Sequence, residues 1–186
     1  PLGRPEVLKV LQSQDMLPAI TFIFSRAGCD GALYQCLRSR MVLTSQEEAQ
    51  QIKEIVDAGV EGIPEEDLQV LDFKRWREAL SRGFAAHHAG MLPAFRHIVE
   101  DLFVRGLVRA VFATETLALG INMPARTVVL EKLIKFNGEA HVDLTPGQYT
   151  QLTGRAGRRG IDTLGNAVVQ WAPAMDPRQV AGLAST

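Results

Sequence analysis

Two cysteines in 186 residues leave no room for a disulfide framework. Cys29 and Cys36 lie seven apart on one expected helix. Neither belongs to a CxxC pair and no histidine stands at zinc-finger spacing, so both read as free thiols and no metal site is expected. Long apolar runs are missing too. AITFIF at 19–24 and LVRAVFA at 107–113 are far too short to cross a bilayer, and no secretory leader is visible. No membrane partner is expected, and a cytoplasmic location is, or a nuclear one in a eukaryote. There is no GxxxxGK[ST] loop to cradle nucleotide phosphates, and no acidic box suited to holding Mg²⁺ beside a strand. The absence of a GxGxxG turn excludes a nicotinamide-binding enzyme. Low-complexity tracts and internal repeats are likewise absent.

What is present is a globular composition, 46% apolar, expected to form one domain over residues 1–186. Net charge is −1, but it is unevenly placed. Residues 45–72 hold nine acids against Lys53, whereas residues 105–160 hold eight bases against four acids. Positive potential gathers in the last third, where anion handling is expected.

Periodicity predicts strands alternating with helices. Ala19–Phe24 is a short apolar run, followed by a turn at Ser25–Gly28 and a helix to about Ser39. Ser45 to Glu48 is a capping box for a helix ending near Gly59. One helix is expected from Pro64 to Arg82, with Gly83 as its stop. A strand at Phe84–Ala86 leads to the loop HHAGML, and Pro93 opens a helix to Arg105. Strands at Leu107–Ala113, Arg126–Leu130 and Asn166–Trp171 follow, with a short helix at about Thr116–Leu119. Between Glu131 and Leu144 the rhythm changes to alternation around Asn137-Gly138, a hairpin signal.

Apolar strands alternating with helices imply an α/β fold, a parallel sheet covered on both faces. In such folds the working residues lie at strand carboxyl ends, which singles out Ser25, Arg26, His87, His88, Thr114, Glu115 and Thr116. The adjacent histidines read as one packed and one exposed side chain. Trp76 and Trp171 read as core.

The densest charge lies in QLTGRAGRRG, 151–160, with three arginines and three glycines. Thr145 to Gln148 is a second capping box, so a helix is expected from Pro146. On it Gln151, Arg155 and Arg158 are spaced i, i+4, i+7 and share one face, while Arg159 is rotated about 100° away. Two forked guanidiniums on one stripe suit either a polyphosphate or surface carboxylates. With no phosphate loop of its own, the chain would meet a triphosphate held by another domain, as an arginine finger does.

Four segments carry a family resemblance. QLTGRAGRRGID is similar to motif VI of superfamily 2 helicases, RAVFATETLALGINMPARTVV (109–129) to motif V, ITFIFSRAGCD (20–30) to motif IV, and GFAAHHAGMLP (83–93) to the segment called IVa. Their order and spacing resemble the second RecA-like domain of the superkiller-type DExH helicases, which unwind RNA for degradation. The resemblance covers about residues 5–183.

It implies the following. Arg155 and Arg158 reach the γ-phosphate of ATP, whose Mg²⁺ is held mainly by the first RecA-like domain of the same polypeptide, and Gln151 couples their helix to that site. Gly120 and Asn122 fall at nucleotide-contact positions; relatives of the DEAD type carry an Asp where this chain has Asn122. Ser25, Arg26, His88, Thr114, Glu115 and Thr116 fall along the path of a single-stranded or 3′-tailed RNA. The insertion at 131–144 resembles the hairpin wedge that splits a duplex. The expected function is the second motor domain of an ATP-dependent RNA helicase moving 3′ to 5′, inactive without its first domain. Two alternatives stand beside it: a DNA repair helicase of the same superfamily, and a non-catalytic nucleic-acid-binding module.

Overall fold

The computed structural model describes residues 3–114, 123, 125–131, 134–137, 140–143 and 166–169, the last three stretches as backbone. The sheet is the element everything else packs on. Strands β1 (Ala19–Phe22), β2 (Phe84–His87), β3 (Ala110–Ala113), β4 (Thr127–Leu130) and β7 (Asn166–Val169) pair in parallel in the order β2-β3-β1-β4-β7. Every residue of β1 to β4 is buried. Successive side chains of a strand point to opposite faces, so both faces are covered. This is the expected RecA-like α/β architecture.

The helices form where the sequence supplies their ends. Ser25 caps α2 (Arg26–Arg38), its Oγ accepting from the Gly28 N–H at 3.0 Å. Ser45 and Glu48 make both bonds of the capping box on α3 (Gln46–Gly59). Such a cap contributes about 1 kcal/mol. Pro93 opens α6 (Pro93–Val104), which buries Phe95, Ile98, Val99, Leu102 and Phe103.

Two features differ from the sequence reading. Helix α1 (Arg4–Ser13) was not anticipated; it buries Pro5, Leu8 and Leu11. Pro5 near a helix start and the i, i+3 pair of leucines are its signal in the sequence. The single helix expected over 64–82 is two, α4 (Glu65–Leu71) and α5 (Phe73–Ser81). They are broken at Asp72, which sits in the left-handed region at φ 57°, ψ 62°. Asp tolerates that conformation better than most residues. The break re-aims α5 so that Trp76 is buried against Phe95, ring centroids 5.2 Å apart. No glycine or proline marks position 72, so the apolar pattern ran through it.

The expected hairpin is present in outline. Strands β5 (Ile134–Asn137) and β6 (Ala140–Asp143) pair antiparallel, Asn137 opposite Ala140, leaving residues 138 and 139 between them. Asn137 thus closes the first strand. The short helix expected at 116–119, the helix expected from Pro146, and Trp171 lie outside the described residues.

Gly83 precedes β2 with φ +97°, and a Cβ there would lie 3.0 Å from Leu43 Cβ and 3.1 Å from Thr44 Cγ2. Its carbonyl accepts from the N–H groups of Arg109 and Ala110 at 2.7 and 3.1 Å, setting the start of β2 against β3. Gly83→Ala is therefore expected to destabilise the domain by at least about 1–2 kcal/mol from backbone conformation. The check is the urea midpoint; an unchanged midpoint would show that the turn relaxes freely.

Candidate nucleic-acid interface

The register places four strand ends side by side. His87, Ala113, Phe22 and Leu130 lie in one row across β2, β3, β1 and β4. The chain therefore leaves the sheet's carboxyl edge at His88, Thr114, Ile23 and Glu131. Crossovers bring these distant segments together; sequence separation alone does not.

At the centre, β1 runs through Ile23 and Phe24 into the cap of α2. Gly28 keeps this turn tight, since a Cβ there would meet Ile23 Cγ2 at 2.7 Å. Arg26, the first residue of α2, is exposed. No acid occupies the first turn of α2, so its amino-terminal partial charge is not offset locally. Ser25 is exposed beside it. Thr114 follows β3 at 9% exposure. An exposed cation next to an unneutralised helix start is suited to a phosphate.

The two histidines at the end of β2 are both buried, at 3% and 6% exposure, which corrects the expectation that one of them is exposed. The sheet buries His87, and the loop buries His88. His87 Nε2 lies 2.6 Å from Glu100 Oε2 of α6. Burial lowers the His87 pKa, outweighing the Glu100 carboxylate, which alone would raise it; the Arg96 charge adds to the lowering. His87 is thus a neutral ring donating Nε2–H to Glu100. Arg96 Nε is itself buried without a hydrogen-bond partner among the described residues.

His88 is held from both sides. Gly90 N–H donates to Nδ1 at 3.1 Å, so Nε2 carries the proton, and it donates to Asp30 Oδ1 at 2.9 Å. Arg26 crosses the same loop: a Cβ on Gly90 would lie 3.3 Å from Arg26 Cδ and 3.1 Å from His88 Nδ1. Asp30, His88 and Gly90 therefore tie α2 to the loop after β2, with the Arg26 stem lying against Gly90. Asp30 was not singled out from sequence; its position one turn beyond Arg26 on the same helix was the available signal.

Glu131, after β4, is engaged by Arg4 of α1, whose Nη2 and Nε donate to its two oxygens at 2.5 and 2.8 Å. Arg4 Nη1 also donates to Gln35 at 2.9 Å. The carboxylates of Asp30, Glu100 and Glu131 at this edge are all occupied by protein donors. Among the described residues no cluster of three His, Cys, Asp or Glu side chains could hold a metal ion. Cys29 and Cys36 are free and buried, and burial pushes both thiols up to about 12, which leaves them unreactive.

Of the sequence-selected residues, Ser25, Arg26, His88 and Thr114 converge on this edge. Glu115, Thr116, Gly120, Asn122, Gln151, Arg155 and Arg158 lie outside the described residues.

Residues 65–160 match the helicase conserved C-terminal domain family. Over the whole chain there is 67% identity to the probable helicase HelY of Mycobacterium tuberculosis, of which the match covers 20%. The antiviral helicase SKI2 of Saccharomyces cerevisiae is 36% identical over 89% of the chain and 13% of its own length. The DExH-box ATP-dependent RNA helicase DExH11 of Arabidopsis thaliana is 40% identical over 88% of the chain and 12% of its own length. The chain thus spans one fifth or less of these relatives.

The buried His87 gives a pH dependence with a definite sign. Its folded pKa lies below the unfolded value, so its contribution is complete above about pH 6.5 and is lost as pH falls below that. Urea midpoints should therefore drop from about pH 7.5 to about pH 5.5, and His87→Gln should flatten that drop. A wild-type slope retained by the variant would assign the effect to other groups.

Proposed function

The chain belongs to the helicase conserved C-terminal domain family, and within it to the superkiller-type DExH helicases; from that footing we propose that it is the second motor domain of an ATP-dependent RNA helicase. The observation that carries the reading is the alignment, at one sheet edge, of the three strand ends bearing the motif IV, IVa and V segments. A single strand laid along that edge meets the start of α2, the loop after β2, and Thr114 in turn.

The roles follow from chemistry. Arg26, at the amino-terminal end of the α2 dipole, neutralises backbone phosphate, a contact that grips without reading sequence. Thr114 supplies a hydroxyl at the end of β3. His88 serves from within, holding the loop through Gly90 and Asp30. Glu115 and Thr116 extend the same path. The preference for RNA is supported by the name of the Arabidopsis relative, which specifies an ATP-dependent RNA helicase.

Turnover would need a partner domain. Gly120 and Asn122 would contact the nucleotide, and Gln151, Arg155 and Arg158 would face it across the interface with a first RecA-like domain that holds ATP and Mg²⁺. The guanidiniums neutralise charge that develops on the phosphoryl oxygens, stabilising the transition state more than the bound substrate. This chain alone is expected to release no phosphate from ATP, with or without single-stranded RNA. The hairpin at 131–144 would separate strands, movement would run 3′ to 5′, and the enzyme would work in the cytoplasm.

Two measurements test the reading. In single-turnover ATP hydrolysis by a full-length helicase carrying this domain, saturated with RNA, Arg155→Ala and Arg158→Ala should each slow the chemical step by roughly 10³–10⁵. Arg159→Ala should cost far less, because it leaves the helical stripe. Equal damage at all three would remove the finger assignment.

The second concerns grip. Thr114→Val should weaken single-stranded RNA binding by about 0.5–3 kcal/mol. Arg26→Ala should reduce the salt slope of binding by about one. Unchanged affinity in both variants would move the strand away from this edge, and tighter binding of matched 3′-tailed DNA than RNA would favour the repair-helicase alternative.

A further inference from the structure

A cleft of about 620 Å³ opens where α2, the α4–α5 junction and the loop after β2 meet. Its floor is apolar: Trp76, Phe95, Met91 and Ala86 are all buried. Its lip is apolar as well, with Leu92 45% exposed and Val70 90% exposed. Helix α4, which supplies Val70, buries none of its own residues. Leu68 and Leu71 of α4 pack against the core, whereas Val70 stands in water and offers an aliphatic surface to another molecule.

Among the described residues the walls are mainly acidic. Asp30, Asp67 and Asp72 line the cleft together with the Arg75 guanidinium and the His88 ring. That guanidinium is already engaged: it lies 3.4 Å from Asp72 and 4.3 Å above the Tyr34 ring. Glu65 and Glu66, exposed on α4, extend the acidic field beyond the cleft. A nucleic-acid phosphate is repelled here, and a cation is attracted. A bare cation would leave the aromatic floor and the exposed Val70 uncovered.

We propose that this cleft docks a basic segment of a separate partner protein, with a lysine or arginine between the acidic walls and a large aliphatic side chain on the floor. The cleft lies within the size range of ligand-accepting pockets, and apolar anchoring with charge at the rim is a recurring mode of segment recognition. Asp30 joins this surface to the strand-facing edge, because the same carboxylate holds His88.

The probe is a fluorescein-labelled peptide carrying lysines on either side of a leucine, compared with glutamate-for-lysine and alanine-for-leucine versions. Anisotropy on a full-length helicase carrying this domain should show binding of the first peptide and little of the other two. Val70→Ser and Asp67→Lys alter exposed side chains and should leave folding intact, which circular dichroism confirms. Each should weaken binding by about tenfold, and the Asp67→Lys effect should shrink as salt is raised. Indifference to either substitution, or equal binding of all three peptides, would overturn the proposal. Displacement of the peptide by single-stranded RNA would make the cleft part of the strand groove, and so overturn it. Binding to the 186-residue chain but not to the full-length helicase would show that the polypeptide fills its own cleft, with the same consequence.

Discussion

Complete burial of the central strands is the constraint on which the rest depends. With both faces of β1 to β4 covered, no polar side chain within the sheet can reach water sideways. Chemistry is confined to the strand ends. The two ends are then built differently. At the amino end Arg109 is bound by Glu48 and the Leu43 carbonyl, and Arg126 pairs with Asp15 at 3.0 Å. Thr127, fully buried, donates to the Met16 carbonyl at 2.6 Å. That end is laced shut. At the carboxyl end the start of α2 is open, with Arg26 and Ser25 exposed.

Single residues serve two structures at once, and this is how the local rules support the global fold. Glu48 completes the capping box of α3 and also receives Arg109 from the approach to β3. Its carboxyl is held below the ordinary range mainly by the Arg109 hydrogen bond and secondarily by the Ser45 backbone. Asp72 terminates α4, starts α5 and pairs with Arg75. His88 joins a loop, a helix and a carboxylate through its two ring nitrogens. His88 is the buried member of this set, and removing one of its partners leaves a buried ring nitrogen unsatisfied, at a cost of about 1–3 kcal/mol. These residues therefore fix geometry more than they add stability.

Charge segregation gives the domain two unlike surfaces. Acids cluster on α3 and α4, and Asp67 and Asp72 line the cleft with Asp30 of α2, whereas the exposed Arg26 stands at the start of α2. The loop after β2 borders both surfaces, since His88 and Gly90 line the cleft as well. Asp30, between them, links the two.

The sequence by itself determined the alternation of strands and helices, the caps at Ser25 and Ser45, the start of α6 at Pro93 and an antiparallel pair, which it centred on Asn137-Gly138 whereas Asn137 pairs with Ala140. It also carries the family resemblance, in segments such as QLTGRAGRRGID and GFAAHHAGMLP. These are local or periodic properties, set by a few neighbouring residues. Tertiary structure decided what local rules leave degenerate. The apolar rows of α4 and α5 read as one helix, and the backbone breaks at Asp72 because Trp76 must turn inward onto Phe95. His87 and His88 are alike in sequence, yet one meets Glu100 and the other Asp30, from helices that crossovers deliver to the sheet edge. The order β2-β3-β1-β4 sets which motifs lie side by side, and a string of residues carries no record of that order until its strands pair.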